Sequence, residues 1–100
     1  MSELDKYSEE INKLCLIHKV KSLYVFGSLV SGKFNENSDI DFLVDFEPVH
    51  VNQYADNYYD LKFSLQDLLL KKIDLLEEKA IRNPYFRQSL NNQRVLIYGH

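Results

Sequence analysis

Hydrophobic positions recur with two different periods along the chain, and the switches between them mark its elements. Leu4, Tyr7, Ile11, Leu14 and Cys15 follow helical spacing, which predicts a first helix over Glu3–Lys19. Leu23-Tyr24-Val25-Phe26 is a short apolar run stopped by Gly27, the pattern of a buried strand. Lys33–Ser38 (KFNENS) is polar and rich in Asn and Ser, hence a loop. From Asp39 to Phe46 the chain alternates. Ile40, Phe42, Val44 and Phe46 take one face of a strand, and Asp39, Asp41 and Asp45 the other. Pro48, which has no amide to donate to a ladder, closes it. Val51, Tyr54, Tyr58, Leu61, Leu65 and Leu68 return to helical period and predict a long second helix, its aromatics belonging to core and helix surface.

Lys72–Leu76 (KIDLL) reads as a strand with Ile73 and Leu75 opposite Asp74. Asn83-Pro84 fits a capping residue followed by proline in the first turn, so Tyr85–Leu90 is expected to be a short helix. Val95–Tyr98 is a last strand. The order α, β, (short α), β, α, β, α, β predicts an α/β (α+β) fold, a single domain over residues 1–100 with helices around a small mixed sheet.

Composition narrows the class. A chain of 100 residues suffices for one domain, and 45% hydrophobic content can fill its core. Charges are mixed, with a formal net of −3, so no basic stripe for nucleic acid is expected. No apolar run approaches the roughly 20 residues that span a bilayer. The first ten residues, MSELDKYSEE, are acidic and lack the features of a secretory leader. A soluble, cytoplasmic protein is the expectation. Cys15 is the single cysteine, which excludes an internal disulfide or a cysteine zinc cluster and leaves a core thiol.

The stretch VFGSLVSGKFNENSDIDFLV, Val25–Val44, holds two phosphate-site patterns. Gly27, Gly32 and Lys33 give G-x-x-x-x-G-K, a P-loop without its final hydroxyl. Phe34 stands where that Ser or Thr would ligate magnesium, and NENSD is a poor helix interior, so this pattern fails. A calcium loop through Asn35, Asn37, Asp39 and Asp41 fails too. Ile40 or Phe42 falls where its glycine is required. Lys33 is then a solvated loop residue.

The remaining pattern is Gly27-Ser28, ten residues, then Asp39-x-Asp41. Two carboxylates two positions apart on a strand share a face, about 6.5–7 Å apart along the backbone. Like charges this close resist joint ionisation unless a cation lies between them. Asp74 is a third acid at mid-strand. Beside the first strand it would bring three carboxylates within range of magnesium, a hard cation. Gly27-Ser28, ending a buried strand, offers close backbone approach and a hydroxyl to phosphate oxygens. Asp45 reads as an exposed strand-face acid. No Cys–His or Ser–His arrangement suggests a covalent nucleophile, and His18, His50 and His100 carry no ligand pattern.

In order, spacing and context, "FGS…SDIDFLV" and "KKIDLL" resemble the polymerase-beta-type nucleotidyltransferase superfamily, and within it the minimal nucleotidyltransferases. The resemblance covers nearly the whole chain. It implies a nucleotidyltransferase domain over residues 1–100 and magnesium-dependent transfer of AMP from ATP to a protein hydroxyl. It implies as acceptor a tyrosine of a HEPN-domain ribonuclease toxin, with this chain as the antitoxin. Gly27 and Ser28 would hold the nucleotide triphosphate. Asp39 and Asp41 would ligate two magnesium ions, and Asp74 would complete the site and help deprotonate the attacking hydroxyl. Many members read Gly-Ser-Arg with a further basic residue, whereas Leu29 and Val30 follow Ser28 here. That removes a phosphate-charge partner, for which Arg82, Arg87 and Lys33 are candidate substitutes. Two other readings stand beside this one: transfer to a small-molecule acceptor, and a catalytically weak or inactive member acting as a binding antitoxin.

Overall fold

The structure, a computed structural model, describes residues 2–99; His100 lies outside them. Its elements are α1 (Ser2–Asp5), α2 (Ser8–Ile17), β1 (Val20–Phe26), α3 (Ser28–Ser31), β2 (Ile40–Phe46), α4 (Val51–Leu69), β3 (Ile73–Glu77), a 3-10 turn (Glu78–Ala80), α5 (Pro84–Gln93) and β4 (Val95–Gly99). The four strands form one sheet in the order β3-β2-β1-β4. β2 and β3 run parallel, and both other pairs are antiparallel.

The expected first helix is two. Tyr7 breaks it: its amide bonds back to the Leu4 carbonyl at 3.0 Å, and its carbonyl accepts the Ile11 amide at 2.9 Å. Ser8-Glu9-Glu10 is itself a helix start, with two acids in the first turn of α2 where the helix dipole favours them. α2 stops at Ile17, and Lys19, at φ 61°, turns the chain into β1 three residues earlier than the apolar run suggested. α4 ends similarly at Leu70, φ 55°. The loop at 33–38 is a tight turn, in which Asn35 Oδ1 accepts the Asn37 amide at 2.8 Å. Asn83 caps α5 as expected, its side chain accepting the amides of Tyr85 and Phe86 at 2.9 and 3.2 Å.

The main core lies on one face of the sheet. Leu23 and Val25 of β1, Ile40, Phe42 and Val44 of β2, and Ile73 and Leu75 of β3 pack there against Ile11 and Cys15 of α2 and Leu61, Leu65 and Leu69 of α4. Cys15 is fully buried, and burial pushes its thiol up to about 12. The opposite face departs from the simple alternation. Leu43 stands among the aspartates yet is 1% exposed, covered with Phe26 by Leu90 of α5 and flanked by Tyr24, Leu76 and Ile81. A second, smaller core therefore occupies the middle of the face expected to be open.

α5 is tied down by charge as well. Arg87 and Arg94 both reach Glu78, at 2.7 and 2.9 Å, and Arg94 stacks over the Tyr24 ring at 4.2 Å from its centre. Asp45 is accordingly not an open surface acid. Its side chain is 17% exposed, 3.6 Å from Lys79, with one oxygen buried and without a hydrogen bond.

Candidate functional site

The site residues gather where β1 ends and β2 and β3 begin. β1 and β2 pair so that Phe26 faces Asp41, and the next residue, Gly27, lies at φ 76° and ψ −144°. Only glycine adopts that backbone readily. A methyl group at position 27 would collide with Asp41 Oδ2, so the carboxylate rests directly on the Gly27 backbone. The Gly27 carbonyl accepts the amides of Val30 and Ser31 at 3.1 and 3.0 Å, which folds Ser28–Ser31 into the single turn α3. Leu29 points into the core, 7% exposed, and pins that turn. Leucine at position 29 thus fills core space and offers no charge to the site.

On the other side of β2, the parallel register places Asp74 of β3 directly beside Asp41. Asp39 stands one residue ahead of β2, exposed, on the face of Asp41 by strand parity. Burial, then the charge of Asp74, then that of Asp39, raise the Asp41 carboxyl above the ordinary aspartate range. The structure thus brings Gly27, Ser28, Asp39, Asp41 and Asp74 to one end of the sheet.

Among the described residues, no three His, Cys, Asp or Glu side chains are gathered tightly enough to hold one ion. The carboxylates are neighbours across strands rather than a closed cage. That arrangement still fits magnesium, which binds through one or two carboxylates and takes its remaining ligands from phosphate and water. The part of the Asp41 rise that comes from the charges of Asp74 and Asp39, added to the larger effect of burial, is what a divalent cation would relieve.

Other candidates fall elsewhere. Arg87 is committed to Glu78 and to the carbonyls of Glu78 and Ile81, beyond the far end of β3, so it cannot serve phosphates at Gly27. Arg82 lies in that same connection between the 3-10 turn and α5. Lys33, by contrast, stays beside the Gly-Ser turn: it is exposed, and its amide donates to the Ser28 carbonyl at 3.1 Å. His18 closes α2 through Nδ1 against the Leu14 carbonyl at 2.7 Å, and His50 is exposed before α4. One basic residue also stands at this end of the sheet, Lys72. The Ile40 amide donates to the Lys72 carbonyl at 3.1 Å, which extends the β2–β3 ladder and sets Lys72 beside Asp39. Its signal was in KKIDLL: two positions before Asp74, it shares that strand face.

A four-stranded sheet with a Gly-Ser turn at one strand end and aspartates from two neighbouring strands beside it is the arrangement expected of a nucleotidyltransferase. The chain belongs to the nucleotidyltransferase domain family, whose model matches residues 4–97. It is similar to the protein adenylyltransferase MntA of Thermococcus cleftensis, 32% identical over 83 residues, spanning 75% of this chain and 81% of that one. Among solved structures it resembles one described as a minimal nucleotidyltransferase, at 29% identity and TM-score 0.79, over 94% of this chain and 92% of that chain. It also resembles a chain of a toxin–antitoxin crystallised with AMP-PNP, at 25% identity and TM-score 0.72, over 93% and 73%. Among the described residues no helix is long and apolar enough to cross a membrane.

Proposed function

We propose that this chain is a protein adenylyltransferase that moves AMP from ATP to a hydroxyl of a partner protein, a HEPN-domain toxin, as its antitoxin. The observation that carries the reading is the direct pairing of Asp41 with Asp74 across β2–β3, with Gly27 forced against the Asp41 carboxylate. The likeness to MntA and to a toxin–antitoxin chain crystallised with an ATP analogue supports it.

Asp39 and Asp41 would hold two magnesium ions, with Asp74 on the second. When bound, such ions supply charge for an in-line displacement at the α-phosphorus and stabilise the attacking and leaving oxygens. Gly27 lets the triphosphate approach the backbone without a side chain in the way, and Ser28 offers its hydroxyl to a phosphate oxygen. Asp74, exposed at the sheet edge beside Asp41, accepts the proton of the incoming hydroxyl. A tyrosine is the acceptor this reading names. Positioning and electrostatics suffice for such a step, with no covalent nucleophile.

The test is incubation of the purified chain with labelled ATP, magnesium and a HEPN-domain protein encoded beside it, read by mass spectrometry. Added AMP on a tyrosine, one or more units, is the expected result. Tight complex formation with no added mass would leave a binding antitoxin in its place.

A further inference from the structure

We propose that Lys72 is the basic residue of this site, holding the α-phosphate of the bound nucleotide from the β3 side. The inference rests on the nucleotidyltransferase reading and supplies the phosphate partner missing after Ser28. Its basis is the β2–β3 ladder. Ile40 pairs with Ile73 and donates its amide to the Lys72 carbonyl at 3.1 Å, so Asp39 and Lys72 are neighbours, as Asp41 and Asp74 are. Lys72 and Asp74 are exposed while Ile73 between them is 1% exposed, which puts the lysine on the carboxylate face. That face therefore carries three carboxylates and one ammonium in a two-by-two array.

Lys72 makes no ion pair and no side-chain hydrogen bond among the described residues. Arg87, Arg94, Lys79 and Lys71 are each hydrogen-bonded to other groups. Gly27-Ser28 flanks β2 on one side and Lys72 on the other. The two flanks stand about 10 Å apart, two strand spacings. A triphosphate whose tail lies at Gly27-Ser28 extends across β2 toward β3, so its α-phosphate is the group within reach of Lys72. A flexible lysine acts there as a point charge.

The experiment measures binding of magnesium AMP-PNP and of AMP to wild type, Lys72→Met, Lys72→Arg and, as a control on α2, Lys13→Met. The α-phosphate is common to both ligands. Lys72→Met is expected to weaken both by about tenfold, Lys72→Arg to stay within about threefold of wild type, and Lys13→Met to change neither. Loss of AMP-PNP affinity with AMP affinity intact would overturn the assignment, since the lysine would then serve the tail. Unchanged affinities with a lowered melting temperature would reduce Lys72 to a charge balancing the aspartates, and would also overturn it. A wild type that binds neither ligand defeats the nucleotidyltransferase reading itself, which separates that failure from this one.

Discussion

Gly27 and Asp41 are in contact across the β1–β2 pair: Asp41 Oδ2 fills the space that a side chain at position 27 would need. The glycine of the Gly-Ser pair and the second aspartate of the Asp-x-Asp pair are therefore one steric unit. Gly27→Ala is expected to cost about 1–3 kcal/mol from backbone strain at φ 76° and to push Asp41 off its seat. Gly32 is the control, because at φ 82° it has nothing within 4 Å of an added methyl group. Gly32→Ala should cost about 1–2 kcal/mol through backbone strain alone and leave transfer intact. Urea midpoints and AMP-transfer rates on both variants check this; equal transfer by Gly27→Ala and wild type would break the unit apart.

The raised Asp41 carboxyl gives a pH signature. Between the ordinary aspartate range and Asp41's raised one, the native state holds a proton that the unfolded chain has released. Stability from this group is thus complete below the unfolded value and is lost as pH rises through the folded value. Asp41→Asn removes the charge that costs the native state at neutral pH. It should raise the melting temperature of the metal-free protein there, with an advantage that shrinks as the solution is made acidic. Differential scanning calorimetry across pH reads the gap. A gap that widens toward acid would contradict the sign.

Much of this was legible in the chain. Period switches located every strand to within about three residues, and Asn83-Pro84 marked α5, because cap chemistry and apolar period are local. That Asp39 and Asp41 share one face beside Gly27 was readable too, because strand parity alone puts two residues two apart on one face. What could not be read depended on tertiary partners. Leu43 breaks the polar face only because Leu90 of α5 folds over it. Asp45 is covered only because β3 leads into Lys79. Arg87 looked free until Glu78 took it. Lys72 became a site neighbour only once β3 paired with β2 rather than another strand.

Cys15 tests the main core. Fully buried between α2 and the sheet, with its thiol pushed up to about 12, it is protonated and inaccessible at neutral pH. A thiol-specific reagent should leave the native protein unmodified over the time in which it labels the urea-unfolded chain completely. Labelling should accelerate only as denaturant opens the core. Rapid modification in buffer would show that α2 does not hold its place.

The carboxylates themselves are the sharpest test. Asp39→Asn, Asp41→Asn and Asp74→Asn each keep side-chain size and remove one negative charge, so folding should survive while AMP transfer falls by about a hundredfold or more. Magnesium with ATP should raise the melting temperature of wild type, since the ion binds only the folded site, and raise that of Asp41→Asn far less. Asp45→Asn controls for charge on the same strand face. It lies four residues along β2, about 13 Å from Asp41, beside Lys79 rather than the other aspartates. It should transfer AMP at the wild-type rate even though half-buried Asp45 contributes to the fold, so melting temperature and activity should separate in opposite senses between Asp41→Asn and Asp45→Asn. Wild-type transfer by Asp41→Asn would remove the metal assignment. Equal loss by Asp45→Asn would mean that charge on this face, rather than the pairing of Asp41 with Asp74, governs the reaction.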